Sequence, residues 1–216
     1  GLAGCDIAKL LFDANQVSAS LGADSADNPA ILLAAAIAGQ KETDKFLIEA
    51  DDLPGFGDWV EQLVAESTGK EDLGTLPVVI SSEAPELRNR PSDVLVTRFS
   101  QQDADQEDLT FYGELGELFM LWEYATSVAG YLLGINPFDQ PNVESAKVAA
   151  RELLDSPAEV AEPDFTDRGV AGKSYGFELI GQSVESALKQ LLSLVQADSY
   201  ISIHAYLNRE AYPQFE

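Results

Sequence analysis

Short apolar runs alternate with segments of helical period along most of this chain, and that alternation restricts its fold more than any other feature. Lys45–Glu49, Leu76–Ile80 and Val94–Phe99 are too brief for helices and are bounded by turn residues, so each reads as a strand. Residues 5–20 carry Ile7, Leu10, Leu11, Ala14 and Val17 at helical spacing and stop before Gly22. Asp27 or Asn28 caps a second helix that opens at Pro29, continues through residues 30–38 and closes at Gly39. It is apolar on nearly every side, so it is expected to be buried. Further helices are expected from Phe56 or Asp58 to Glu66, over Leu115–Leu133, from near Pro141 past Leu154, and over residues 182–195, with residues 109–112 and 200–207 as additional strands. Parallel strands need crossovers long enough to hold a helix, so this order predicts an α/β fold, a three-layer αβα sandwich on a parallel flavodoxin-like sheet.

Residues 81–92 are polar and proline-bearing, a surface loop; residues 101–108 are acidic and read as solvated. Residues 155–176, rich in Pro, Gly and acids, read as an excursion or linker. A net charge of −24 argues against nucleic acid or an anionic membrane as partner, and no apolar run approaches the roughly 18 residues of a membrane span. A single cysteine, Cys5, excludes an internal disulfide framework and fits a reducing compartment, the cytoplasm. A single histidine, His204, leaves no zinc constellation and no serine-histidine triad, and there is no Gly-rich phosphate loop.

Two stretches ask for chemistry. After the helix that ends at Gly134, Asn136-Pro137 imposes a turn, Asp139 can cap a new helix, and along that helix Val143, Lys147, Ala150 and Leu154 form one stripe. A lysine on a core-facing stripe either snorkels to water or serves a site. On the earlier helix Trp59, Leu63 and Glu66 are spaced i, i+4, i+7, so Glu66 continues an apolar stripe up to Gly69. A carboxylate partly withdrawn from water makes a stronger base; the same spacing also suits a structural glutamate bonded to a turn.

The run Asn136-Pro137-Phe138-Asp139-Gln140-Pro141-x-Val143-Glu144-x-x-Lys147 resembles the signature of glucose-6-phosphate isomerases, and Glu66-Ser67-Thr68-Gly69-Lys70 resembles that family's E-S-x-G-K segment. The resemblance implies the second of two sugar-isomerase (SIS) domains. Residues 1–40 would be a helical segment linking to the missing first SIS domain, and 41–216 the SIS-type isomerase domain, incomplete at its C-terminal side. It implies Glu66 as the base that moves a proton through a cis-enediol, Lys147 as the group serving ring opening, and Gln62 and Gln140 as sugar contacts. No cofactor and no metal are implied. The implied partners are a sugar-phosphate substrate and the missing SIS domain of the same polypeptide, with a homodimer left open.

Three family features are absent from these residues: a Ser/Thr phosphate-holding loop, a Gly-Gly-Arg segment, and a histidine between Lys70 and Lys147. His204, among alternating apolar residues, reads as structural. Absence of the histidine fits a subfamily in which the isomerase domain follows a transaldolase, whose wording residues 59–70 and Trp122-Glu123-x-Ala125-Thr126-x-Val128-Ala129-Gly130 resemble. Without a phosphate anchor the chain alone is expected to be inactive. The alternative is a non-catalytic sugar-phosphate-binding or assembly domain that kept the fold and lost the chemistry.

Overall fold

The computed structural model describes residues 4–38, 43–100, 108–156, 161–197, 199–208 and 211. The chain divides into two compact units, Gly1–Leu154 and Asp155–Glu216. The first holds α1 (Ile7–Leu21), α2 (Pro29–Ala38), β1 (Lys45–Glu49), α3 (Phe56–Thr68), β2 (Leu76–Ile80), α4 (Pro85–Arg88), β3 (Val94–Phe99), β4 (Leu109–Phe111), α5 (Leu115–Leu133) and α6 (Pro141–Asp155), whose last residue crosses the division. The second holds β5 (Phe165–Asp167) and β6 (Val170–Gly172), an antiparallel pair, and α7 (Val184–Leu194).

All four strands of the first unit are parallel, in the order β2-β1-β3-β4. Placing the first strand inside, with the chain winding outward in both directions, is the flavodoxin-like arrangement. Helices flank the sheet, so the α/β, three-layer expectation holds. Strand β1 is buried over residues 46–49, as an inner parallel strand must be. Phe46, Ile48 and Phe99 pack with Val60 and Val64 of α3 and with Leu118, Leu121, Trp122 and Ala125 of α5. Trp122 is fully buried and meets Phe46 edge to face, ring centres 5.8 Å apart. Burying a side chain of this size contributes about 3 kcal/mol.

Helices α1 and α2 both pack on α5. Ala30, Leu33, Ala34 and Ile37 of α2 are buried, but Leu32 is 57% exposed, so α2 buries one side and not its whole apolar circumference as its composition had implied. Asn28 is the cap: its Oδ1 accepts from the Ala30 N–H at 2.9 Å, while its Nδ2 donates to the carbonyls of Leu21 and Ala23, each at 2.8 Å. Gly116 lets α1 approach α5, since a Cβ there would lie 2.1 Å from the Leu10 carbonyl oxygen. Both helices thus belong to the first compact unit, which extends to Leu154.

Several local expectations need correction. Residues 81–92 include the one-turn helix α4. The Asp108 side chain is not solvated but 0% exposed, accepting from Arg98 Nε at 2.6 Å and from Arg90. No residue of α6 is buried, and Leu154 is 80% exposed, so the stripe of Val143, Lys147, Ala150 and Leu154 does not face a core. A stripe shows which side of a helix would bury, not that a matching surface lies in the same unit. Residues 200–207 form no strand, and their side chains are exposed. A strand needs a ladder partner, and among the described residues of the second unit β5 and β6 pair only with each other. Gly39 and residues 101–107 lie outside the described residues.

Candidate functional site

Glu66 stands near the end of α3, half-buried, where the stripe of Trp59 and Leu63 meets the surface. One turn earlier, Gln62 Nε2 donates to Glu66 Oε1 at 3.0 Å. From the turn before α6, Gln140 Nε2 donates to Glu66 Oε2 at 2.9 Å. Each carboxylate oxygen is thus held by one amide, which fixes the plane of the carboxylate and leaves each oxygen further lone pairs. Beside it is a hollow of about 190 Å³ whose lining includes Glu66, Gly69, Lys70, Gln140, Asn142 and Val143. Two segments remote in sequence therefore share one wall.

The turn that delivers Gln140 is built on the end of α5. Gly134 takes the left-handed conformation, φ +74°, and the Ile135 N–H donates back to the Gly130 carbonyl at 3.0 Å. The Pro137 ring lies directly on Gly130, where a Cβ would come within 2.7 Å of two ring carbons. Asn136 Oδ1 accepts from the Phe138 N–H at 3.1 Å, an Asx turn.

Lys70, the last residue of the E-S-x-G-K segment, is 6% exposed, and its ammonium enters this turn. It donates to the Asn136 carbonyl at 2.6 Å, to Asp139 Oδ1 at 2.8 Å, and to the Asp139 carbonyl. Asp139 was expected to cap α6; its carboxylate is instead engaged by Lys70 and, at 3.2 Å, by Asn136 Nδ2. The Lys70 ammonium holds the Asp139 carboxyl below the usual aspartate range. Asn142 Nδ2 adds a bond to the Gly69 carbonyl at 3.3 Å.

Immediately after Lys70 the chain is strained. Glu71 and Asp72 both have positive φ, 56° and 59°, and Gly74 follows at 95°. Non-glycine residues held there cost on the order of 1–3 kcal/mol each and persist only where surrounding contacts enforce them.

Lys147 is not brought to the hollow. Its side chain is 54% exposed and pairs with Glu144 at 2.8 Å, one turn back on α6. The Glu144 carboxylate raises the Lys147 ammonium above the usual lysine range, and the charge of Glu66 acts in the same direction. His204 is exposed, its Nε2 2.8 Å from Ser202 Oγ. Among the described residues no group of three His, Cys, Asp or Glu could hold a metal ion. No helix among them is long and apolar enough to cross a membrane.

Larger hollows exist. One of about 430 Å³ lies between α3 and α5, by Leu63, Thr126 and Phe138; another of about 360 Å³ lies by Asp52, Phe99 and Tyr112. Neither is lined by Glu66, Gln62 or Gln140. Lys70, Asp139 and Asn142 contribute in ways the sequence did not assign: Asp139 reads there as a helix cap and Lys70 only as the end of the E-S-x-G-K segment. The available signal was a lysine directly after a helix-ending glycine.

No protein-family model matches the chain. Curated relatives named glucose-6-phosphate isomerase do. That of Heliobacterium modesticaldum is 58% identical over 43 residues, 20% of this chain and 10% of that protein. That of a Synechococcus strain is 29% identical over 217 residues, 74% of this chain and 41% of that protein. For Rubrobacter xylanophilus the figures are 27% over 205 residues, 68% and 48%. The matches thus span less than half the length of these relatives. Among solved structures, a hypothetical protein of Thermus thermophilus superposes with a TM-score of 0.57 over 70% of this chain and 51% of its own, at 19% identity, which supports the fold.

Proposed function

We propose that this chain is the second sugar-isomerase domain of a cytoplasmic glucose-6-phosphate isomerase and carries the base that interconverts glucose 6-phosphate and fructose 6-phosphate. The observation behind this reading is the Glu66 carboxylate, gripped by Gln62 and Gln140 beside a hollow whose walls are the two signature-like segments. Once the sugar ring is open, Glu66 takes the proton from C2, the C–H electron pair becomes the C1–C2 double bond, and O1 gains a proton, giving a cis-enediol. Returning the proton to C1 while O2 loses its own gives the ketose, with no net oxidation. Each glutamine donates to the base with its N–H and keeps its carbonyl oxygen for a sugar hydroxyl.

The amino end of α6, at Asn142 and Val143, lines the same hollow, so its dipole favours the developing enediolate. Lys147 serves ring opening in this reading, and to do so it exchanges Glu144 for the sugar. At about 190 Å³ the hollow is smaller than the roughly 300–1,000 Å³ usual for ligand sites. The first SIS domain of the same polypeptide completes it and supplies the phosphate anchor, with residues 1–40 leading toward that domain; the wording at 59–70 and 122–130 favours a version joined behind a transaldolase. Fructose 6-phosphate formation from glucose 6-phosphate by the full gene product, with Glu66→Gln as control, is the test. Loss of about 10²–10⁴-fold is expected from removing a general base, and undiminished turnover in Glu66→Gln ends the reading.

A second reading has an observation of its own. The ion pair of Lys147 with Glu144, together with the absence of histidine between residues 70 and 147, favours a non-catalytic sugar-phosphate-binding or assembly domain. In that case the full gene product binds glucose 6-phosphate and does not convert it.

A further inference from the structure

We propose that Lys70 is a positioning residue: its buried ammonium clamps the Asn136–Asp139 turn and thereby holds the Gln140 amide on Glu66. The inference rests on the isomerase reading for its catalytic consequence, though not for the geometry itself. Three oxygens of the turn converge on one nitrogen: the carbonyls of Asn136 and Asp139 and the Asp139 carboxylate. Gln140 is the next residue in the chain. An ammonium is well suited to this task because it offers three donors to oxygens that arrive from different directions.

The surroundings of Lys70 are built to aim it inward. The Gly69 N–H closes α3 on the Ala65 carbonyl, and the Lys70 N–H bonds the Thr68 carbonyl at 2.8 Å. The two left-handed residues that follow then carry the chain away, with the Leu73 N–H returning to the Lys70 carbonyl at 2.9 Å. At Gly74 a Cβ would lie 2.6 Å from the Thr68 carbonyl oxygen, so this turn is folded tightly under the helix end. An acidic chain with few lysines has buried one of them where an exposed one would meet no geometric demand. What that lysine touches is the backbone of the other signature-like segment. Gln140 is itself exposed, so without the clamp its amide is left to compete with water for Glu66.

The test has two arms. In the purified 216-residue chain, the nuclear Overhauser contact between the Gln140 side-chain amide and the Glu66 side chain is measured for the wild type, Lys70→Met, Lys70→Arg and Asp139→Ala. Loss of the contact in folded Lys70→Met, its return in Lys70→Arg and at least a halving in Asp139→Ala are expected. Full intensity in folded Lys70→Met overturns the proposal. If Lys70→Met does not fold, full intensity in folded Asp139→Ala overturns it and a weakened contact supports it.

In the full gene product, Lys70→Met is expected to lower kcat for glucose 6-phosphate about 100-fold, as misplacement of a reacting group does, with KM changed less than about threefold. Lys70→Arg is expected to recover most of that loss. An unchanged kcat in folded Lys70→Met, alongside an inactive Glu66→Gln, refutes the positioning role and leaves the isomerase reading standing. Full activity in Glu66→Gln refutes that reading instead, and the contact in the first arm still decides what Lys70 holds.

Discussion

Gly130→Ala sets two known effects against each other, and the structure decides the sign. Gly130 is inside α5, where alanine gains about 0.8–1.0 kcal/mol in helix propensity. The added Cβ, however, would sit 2.7, 2.7 and 2.8 Å from three carbons of the Pro137 ring, about 1 Å inside ordinary carbon contact. A proline ring has no rotamer through which to escape. Its neighbours are fixed as well, Asn136 by Lys70 and Phe138 by the Asn136 side chain. Overpacking costs about 1–3 kcal/mol, and a ring that cannot yield puts this case in the upper half of that range, about 2–3 kcal/mol, so the net change is about 1–2 kcal/mol of destabilisation. The strain passes into the turn, and the Gln140–Glu66 contact weakens with it. Urea denaturation reads the first effect and side-chain amide resonances the second. Gly22→Ala is the control: its nearest neighbour would be an ordinary 3.4 Å away, and its φ is −84°. A Gly130→Ala chain as stable as the wild type, with the Gln140 resonances unmoved, would refute the reasoning.

The clamp should also survive mild acid. Lys70 depresses the Asp139 pKa, so the contribution of this pair is present above the ordinary aspartate value of 3.8 and is lost only as pH falls through the lower folded value. Urea midpoints of the wild type and Asp139→Asn should keep a constant separation from pH 7 to 4 and converge below that; convergence already at pH 5 contradicts the sign. Asp108→Asn leaves two guanidinium groups, 20% and 23% exposed, without their shared carboxylate. Removing one partner of a buried pair costs about 3–5 kcal/mol, and the partial wetting of both arginines places this case near 3 kcal/mol; a loss within about 0.5 kcal/mol in urea denaturation contradicts it.

The sheet was readable because its strands are parallel and flanked by helices, so even the edge strand β2 has a continuous apolar run with sharp bounds: β1, β2 and β3 begin and end where the residues say. Helix α5 was equally plain, bounded by Leu115 and by a glycine at a left-handed position. Tyr200 to Leu207 misled because period-two alternation also occurs in extended chain with nothing to pair with. The α6 stripe misled because periodicity carries no information about a partner surface. At the site, Glu66, Gln62 and Gln140 came from wording and do meet. The ion pair of Lys70 with Asp139 was not legible: Asp139 reads as a helix cap, and a lysine followed by Glu71 and Asp72 looks like solvated surface. What buries it is a pair of backbone conformations that side-chain patterns do not report. Asp108 was misjudged for the same kind of reason, since its arginines arrive from residues 10 and 18 positions away.

The bare sides of α6 have a mechanical meaning. The helix is tied down near its beginning, through Gln140 and Asn142, while nothing along it sinks into the unit. Its hold on the unit is therefore made at one end. Lys147, five residues beyond Asn142 and about 7.5 Å along the axis at 1.5 Å per residue, stands past those ties and has its partner, Glu144, on the helix itself.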